Sequence, residues 1–202
     1  MPPATSPHLI VDGFLGSAAA GALLDQILAA EPNFVPSEVR QQGGAGAVPQ
    51  VRSSLRLPGR IGVDLSGLLA AIAASEAELI AAVGVPPFPV WHRECSVVAH
   101  GEGDFYARHI DTRTRSETTE KSLRMVSCVY YLNREPVGFS GGELVIHGLG
   151  GAAGTTVAPE HDRLAVFPSF LPHEVSPISC PSGRFEDSRF NVNCWLRREL
   201  AS

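Results

Sequence analysis

The sequence predicts an α+β fold, mainly β, with a jelly-roll core and supporting N-terminal helices. Two observations carry that reading. Apolar residues recur at helical spacing in two early segments, about residues 17–31 and 65–83. From about residue 89 to 197 the pattern changes to short β-branched, aromatic or alternating runs separated by turn residues. Helices followed by many short strands pack as a β-sandwich with the helices on an outer face. A double-sheet jelly roll of this kind leaves an interior wide enough for a small cofactor and a metal ion.

Each element has its own reason. At 202 residues the chain suits one domain, 1–202. Residues 1–8 contain three prolines and no periodicity, which predicts a mobile leader. Leu9-Ile10-Val11 reads as a short strand. Ser17 is a candidate N-cap for the first helix, Leu23, Leu24, Ile27 and Leu28 share one face, and Pro32 ends it. Phe34 to Arg40 reads as a strand, and Gln41 to Ala47 as a flexible glycine-rich loop. That loop lacks a following Gly-Lys-Ser/Thr, so a phosphate-binding loop is not expected. Val51 to Leu57 alternates and puts Arg52 and Arg56 on one strand face, either at a substrate mouth or in solvent.

The second helix carries a stripe of Leu65, Leu68, Leu69, Ile72, Leu79, Ile80 and Val83. Asp64 or Ser66 caps it, and Gly84 with Pro86 and Pro87 stops it. The strands that follow are Trp91 to Ala99, Met125 to Leu132, Glu143 to Leu149, Leu164 to Phe167, His173 to Ile178 and Phe190 to Leu196. Thr112 to Ser122 is polar and aperiodic, a lid or a solvated hairpin, and Gly148 to Gly154 is a turn between strands.

Composition excludes several classes of partner. A net charge of -5 leaves no electrostatic footprint for nucleic acid or an anionic membrane. No apolar run approaches the roughly 20 residues needed to span a bilayer, and residues 1–7 lack the regions of a secretory signal, so a cytoplasmic chain is expected. Cys95, Cys128, Cys180 and Cys194 form no Cys-x-x-Cys pair and read as reduced core residues. Oligomeric state is not legible.

The chemistry centres on Phe105-Tyr106-Ala107-Arg108-His109-Ile110-Asp111-Thr112. In an extended strand residues i and i+2 face the same way, so His109 and Asp111 present an imidazole and a carboxylate to one point. His173 lies far enough downstream for the chain to cross a sheet and return beside them. Two histidines and one carboxylate on one face of a metal, with the other positions open, form the facial triad of non-haem Fe(II) oxygenases. His8, His92, His100, His147 and His161 lack such a context.

Six motifs then occur in one order: Gly103 to Asp111, Val129-Tyr130-Tyr131-Leu132-Asn133, Ser140-Gly141-Gly142-Glu143-Leu144, Asp162 to Pro168, Pro172-His173-Glu174-Val175, and Arg189 six residues before Trp195. This series resembles the 2-oxoglutarate- and Fe(II)-dependent dioxygenases of the prolyl hydroxylase type, including the oxygen-sensing prolyl hydroxylases, over about residues 96–197. The resemblance implies a double-stranded β-helix core and Fe(II), 2-oxoglutarate and O2 as cofactors, with ascorbate a candidate reductant. It implies His109, Asp111 and His173 as catalytic metal ligands. The far carboxylate of 2-oxoglutarate falls to Arg189, helped by the Tyr131 hydroxyl, with Tyr130 on the opposite sheet face. Arg184 is the competing arginine, in what looks like an inserted turn, Pro181 to Asp187. The oxygen-sensing relatives have a tyrosine where Ala99 stands, a contact that is missing or supplied by His100. Because related halogenases lack the carboxylate, retention of Asp111 implies hydroxylation.

The implied activity is oxidative decarboxylation of 2-oxoglutarate to succinate, coupled to hydroxylation of an unactivated C–H bond. The resemblance favours a prolyl or other residue in a peptide or protein, and a free amino acid or small metabolite is the alternative. A cupin-like metal enzyme or a non-catalytic metal-binding module would differ in showing no stimulation by 2-oxoglutarate or no turnover.

Overall fold

The computed structural model describes residues 5–41, 44–46, 51–112 and 121–200. Two antiparallel sheets face one another. The major sheet has seven strands in the spatial order Leu9–Asp12, Arg163–Pro168, Ser122–Leu132, Arg189–Glu199, His92–His100, Leu55–Leu57 and Val35–Pro36. The minor sheet has five, in the order Thr155–Val157, Leu144–Ile146, His173–Val175, Phe105–His109 and Arg52–Ser53. The expected mainly β jelly roll with supporting helices is the architecture observed.

Period-two alternation sorts residues between two compartments. On the strand Ser122–Leu132, Val126, Cys128, Tyr130 and Leu132 face outward under the helices, while Val129 and Tyr131 face the minor sheet. Both helices, Ser17–Ala29 and Ser66–Ala82, lie on the outer face. Leu23, Leu24, Ile27, Leu68, Ile72, Leu79 and Ile80 pack there against Val97, Ala99, Phe190, Val192 and Leu196. Between the sheets a smaller apolar cluster, including Tyr131, Leu144, Ile146, Ala165 and Phe167, fills one end of the sandwich. The other end is left for polar chemistry.

Several local expectations are corrected. Gly16, at φ 82°, precedes the first helix, so Ser17 is its first residue rather than its cap. Leu65 holds the cap position of the second helix, although Asp64 Oδ1 still accepts from the Ser66 backbone N–H at 2.8 Å. Gly84, at φ 69°, ends that helix with Val85 N–H donating to Ile80 C=O at 3.3 Å, a closure that a residue with a Cβ would strain.

Of the leader, residues 1–4 lie outside the described residues. The rest is tied down: Ser6 donates through its backbone N–H to Ala153 C=O at 3.0 Å and through Oγ to His147 C=O at 3.2 Å. Within the glycine-rich stretch, Val39–Gln41 and Gly44–Gly46 pair as a hairpin, and 42, 43 and 47 lie outside the described residues. Most of the expected 112–122 loop lies outside them too, with Ser122 already in a strand. Val51 to Leu57 is not one strand, because Arg52–Ser53 joins the minor sheet and Leu55–Leu57 the major. Two short strands, Ser140–Gly141 and Thr155–Val157, carry no sequence pattern long enough to betray them. No helix among the described residues is long and apolar enough to cross a membrane.

Candidate active site

The strand Phe105–His109 ends at His109, so Asp111 reaches the same point from just beyond it, not as its next in-face residue. Its position is held by backbone instead: Asp111 N–H donates to Ser169 C=O at 3.0 Å. His173 opens the neighbouring strand and sits directly across from His109 in register. The carboxylate lies 3.7 Å (Oδ1) from His109 Nε2 and 3.5 Å (Oδ2) from His173 Nε2. Two donors of one ion at about 2.1 Å each lie no more than about 4.2 Å apart, so both separations suit a single metal.

Backbone carbonyls settle the tautomers. His109 Nδ1 contacts Ala107 C=O and His173 Nδ1 contacts Leu171 C=O, each at 2.9 Å. A carbonyl can only accept, so each Nδ1 carries the proton and each Nε2 keeps its lone pair for a metal. Burial lowers the His173 pKa, against the opposing pull of Asp111, and keeps the ring neutral. For Asp111 burial alone would raise the pKa, but His173, His109 and Arg124 outweigh it and hold the carboxyl well below the usual range.

The carboxylate is oriented by residues that sequence reasoning missed. Ser127 Oγ donates to Asp111 Oδ2 at 2.7 Å, and Trp195 Nε1–H donates to the same oxygen at 2.8 Å. Ser127 Oγ also lies 2.9 Å from Ser169 Oγ. Arg124 stacks over the Trp195 ring at 3.6 Å and pairs with Glu94, bracing the indole from behind. In the sequence Trp195 is legible only as a spacing mark for Arg189, because no local pattern links it to Asp111.

Deeper in the sandwich the polarity reverses. Arg189, 1% exposed, lies with its guanidinium 4.9 Å from the Tyr131 ring centroid. Its Nη1 donates to Asn191 Oδ1 at 2.7 Å and to His100 Nδ1 at 3.3 Å. An acceptor at Nδ1 leaves the proton of His100 on Nε2. Burial, reinforced by Arg189 and Arg52, pushes the His100 pKa well below its ordinary value, so this ring is neutral. Arg189 Nε, Tyr131 Oη and His100 Nε2 are buried without hydrogen-bond partners among the described residues. Three orphaned donors beside one another are costly unless an anion meets them.

Glycine makes the room. A Cβ on Gly142 (φ +71°) would come within 2.8 Å of Arg189 Cδ, and one on Gly141 within 2.2 Å of Pro177 C=O. Arg184 lies outside, mostly exposed, paired with Asp187 at 2.8 Å and Glu186 at 2.8 Å. Ala99 packs under the helices, and it is His100, opposite Arg189 in register, that faces the interior. Tyr130 points away from the cavity and donates to Asp162 Oδ1 at 2.7 Å.

Both ends open into one cavity of about 460 Å³, lined by His109, Asp111, His173, Arg189 and His100 and rimmed by Arg52, Arg56, Tyr106 and Trp195. Its volume suits a small-molecule site. The donor set at one end fits Fe(II), and the orphaned cationic end fits the far carboxylate of 2-oxoglutarate. All four cysteines are free; Cys128, Cys180 and Cys194 are buried and Cys95 is half-buried.

Known proteins share this fold. The chain is 35% identical over 131 residues to an uncharacterised PKHD-type hydroxylase of Synechocystis, an alignment covering 61% of this chain and 42% of that protein. The chain thus spans less than half the length of this relative. A Pseudomonas putida prolyl-4-hydroxylase superposes with TM-score 0.67 and 25% identity over 97% of this chain and 95% of that one. A Trichoplax adhaerens prolyl hydroxylase, solved with a hypoxia-inducible factor peptide, superposes with TM-score 0.71 and 24% identity over 95% and 83%, a likeness of fold. The profile of one family, whose cofactors are Fe(II), 2-oxoglutarate and O2, matches residues 95–197, the stretch that holds the His109, Asp111 and His173 cluster and Arg189. The chain is a member of the 2OG-Fe(II) oxygenase superfamily.

Proposed function

We propose that residues 1–202 act as one catalytic domain that hydroxylates an unactivated C–H bond while 2-oxoglutarate is decarboxylated to succinate. The target is a prolyl or other amino-acid residue in a peptide or protein. His109, Asp111 and His173 hold Fe(II), and Arg189 and Tyr131 hold the far carboxylate of 2-oxoglutarate. When bound, iron with 2-oxoglutarate and O2 supplies the oxidising power.

The chain's own residues do the rest. The two Nδ1–H donors to Ala107 and Leu171 aim both Nε2 lone pairs inward. Ser127 and Trp195 turn the carboxylate of Asp111. Arg189 cannot release its proton and so keeps a positive charge at the buried end, where Tyr131, His100 and Arg189 itself each offer a donor. The single observation that carries the reading is that one cavity is lined both by the His109, Asp111 and His173 cluster and by Arg189 and His100, each of which has a buried donor without a partner among the described residues. The prolyl preference is supported by the likeness to the Pseudomonas putida prolyl-4-hydroxylase.

The test is turnover of 2-oxoglutarate by the Fe(II)-loaded chain against a library of prolyl peptides and free amino acids, with product mass. Succinate formation matched by a gain of one oxygen in a peptide is expected. Metal-dependent activity indifferent to 2-oxoglutarate would overturn the reading in favour of a cupin-like enzyme.

A further inference from the structure

Four arginines line the cavity: Arg52, Arg56, Arg124 and Arg189. Arg56 is paired with Glu38 at 3.3 Å and Arg124 with Glu94. Among the described residues neither Arg52 nor Arg189 has a carboxylate within ion-pair distance. One anion, the far carboxylate of 2-oxoglutarate, answers Arg189. Arg52 remains.

We propose that Arg52 is a specificity residue that binds a carboxylate carried by the substrate, and the proposal rests on the hydroxylase reading above. Arg52 lies on the strand beside Tyr106, with its guanidinium 4.7 Å over the Tyr106 ring. That ring in turn stacks on His109 at 3.6 Å and 17°, so Arg52 stands one aromatic layer from the triad. Its Nε–H donates to Ser54 Oγ at 2.9 Å, and Ser54 Oγ donates to Ser37 Oγ at 2.8 Å. The serine pair and the tyrosine ring set the plane of the guanidinium, so little freedom is lost when its Nη edge meets a partner. A planar fork held half-buried over an open cavity matches a carboxylate in shape and charge. Neighbouring Arg56 is neutralised by Glu38, which makes Arg52 the cation at the mouth that a bound substrate can complete.

The carboxylate has two chemical sources, the main-chain carboxylate of a free amino acid or an acidic side chain beside the target in a peptide. Two probe pairs separate them: L-proline against L-prolinamide, and acetyl-Glu-Pro-Ala-amide against acetyl-Gln-Pro-Ala-amide. Each is titrated by calorimetry into the full chain loaded with Mn(II) and 2-oxoglutarate, then incubated with the Fe(II) form and O2. In one pair the carboxylate member should bind at least tenfold more tightly than its amide, and that pair identifies the source. Arg52→Gln should erase the difference by weakening the carboxylate member alone. Arg52→Lys, with a point charge in place of the fork, should reduce the preference without erasing it.

Absence of preference in both pairs, or a preference that survives Arg52→Gln or is unchanged in Arg52→Lys, overturns the proposal. So does an effect of Arg52→Gln confined to 2-oxoglutarate affinity, which would give Arg52 to the cosubstrate. An Arg52-dependent preference without any 2-oxoglutarate-dependent product would leave this site standing and sink the hydroxylase reading.

Discussion

The two faces of the last strand, Arg189–Glu199, differ in what they are for. Phe190, Val192, Cys194 and Leu196 point outward and are at most 1% exposed, packed beneath the helices. The alternate residues Arg189, Asn191, Asn193 and Trp195 face the cavity. Asn191 Nδ2–H donates to Asn193 Oδ1 at 2.9 Å, continuing a polar ladder that starts at Arg189. The outer face gains from burial that needs no direction, worth about 1.5–3 kcal/mol for a large apolar side chain. The inner face is as central but carries a buried guanidinium whose Nε has no hydrogen-bond partner among the described residues. Stability and function therefore sit on alternating residues of one strand and should separate on mutation.

The largest effect breaks the inner side. His109→Ala, Asp111→Ala or His173→Ala should each abolish Fe(II)-dependent turnover and bound iron by metal analysis, while the metal-free chain stays folded by circular dichroism. Full activity in any of the three would remove it from the triad. Arg189→Ala comes next: losing one partner of a buried charge pair costs about 3–5 kcal/mol, roughly a hundredfold or more in 2-oxoglutarate requirement. Without cosubstrate the same change removes an uncompensated buried charge, so the thermal midpoint of the free chain should not fall. A clear fall would contradict the division between faces. On the outer side, Phe190→Ala should lower stability by about 3–5 kcal/mol in urea titrations while the surviving folded fraction keeps its 2-oxoglutarate affinity.

A smaller effect concerns acid. Burial, Arg189 and Arg52 depress the folded pKa of His100 well below its ordinary 6.5. As pH falls through about 6.5 the unfolded chain takes up a proton there that the folded chain refuses, so stability present at neutral pH declines on acidification. His173 acts in the same direction in the metal-free chain. Urea midpoints measured from pH 7.5 to 5 should fall, and His100→Gln should flatten the slope. An unchanged slope would mean that His100 titrates normally and is not held neutral between the two arginines. Least of all should happen at Arg184→Ala, whose side chain lies outside the cavity. A rise in 2-oxoglutarate requirement there, with none at Arg189, would reverse the assignment.

What the sequence determined by itself is the order and facing of the parts. Period-two alternation is a local property of the backbone, so it separated Tyr130 from Tyr131, and the helical stripes marked the two supporting helices. The spacing of His109, Asp111 and His173 marks them as candidates for one cluster, and the folded chain brings the three together, with Asp111 reaching the point from beyond the strand. The tertiary structure alone decided how those side chains are held and which charges go unanswered. Trp195 meets Asp111, and Ser6 meets His147, across long stretches of chain, through contacts that sheet packing sets and no local pattern records. The same holds for the arginines: Arg52 and Arg56 share a strand-like segment, yet the chain crosses between sheets at Ser54, and among the described residues only Arg56 of the two finds a carboxylate. Periodicity reports which face a residue takes, whereas the partner waiting on that face depends on the register of every strand around it.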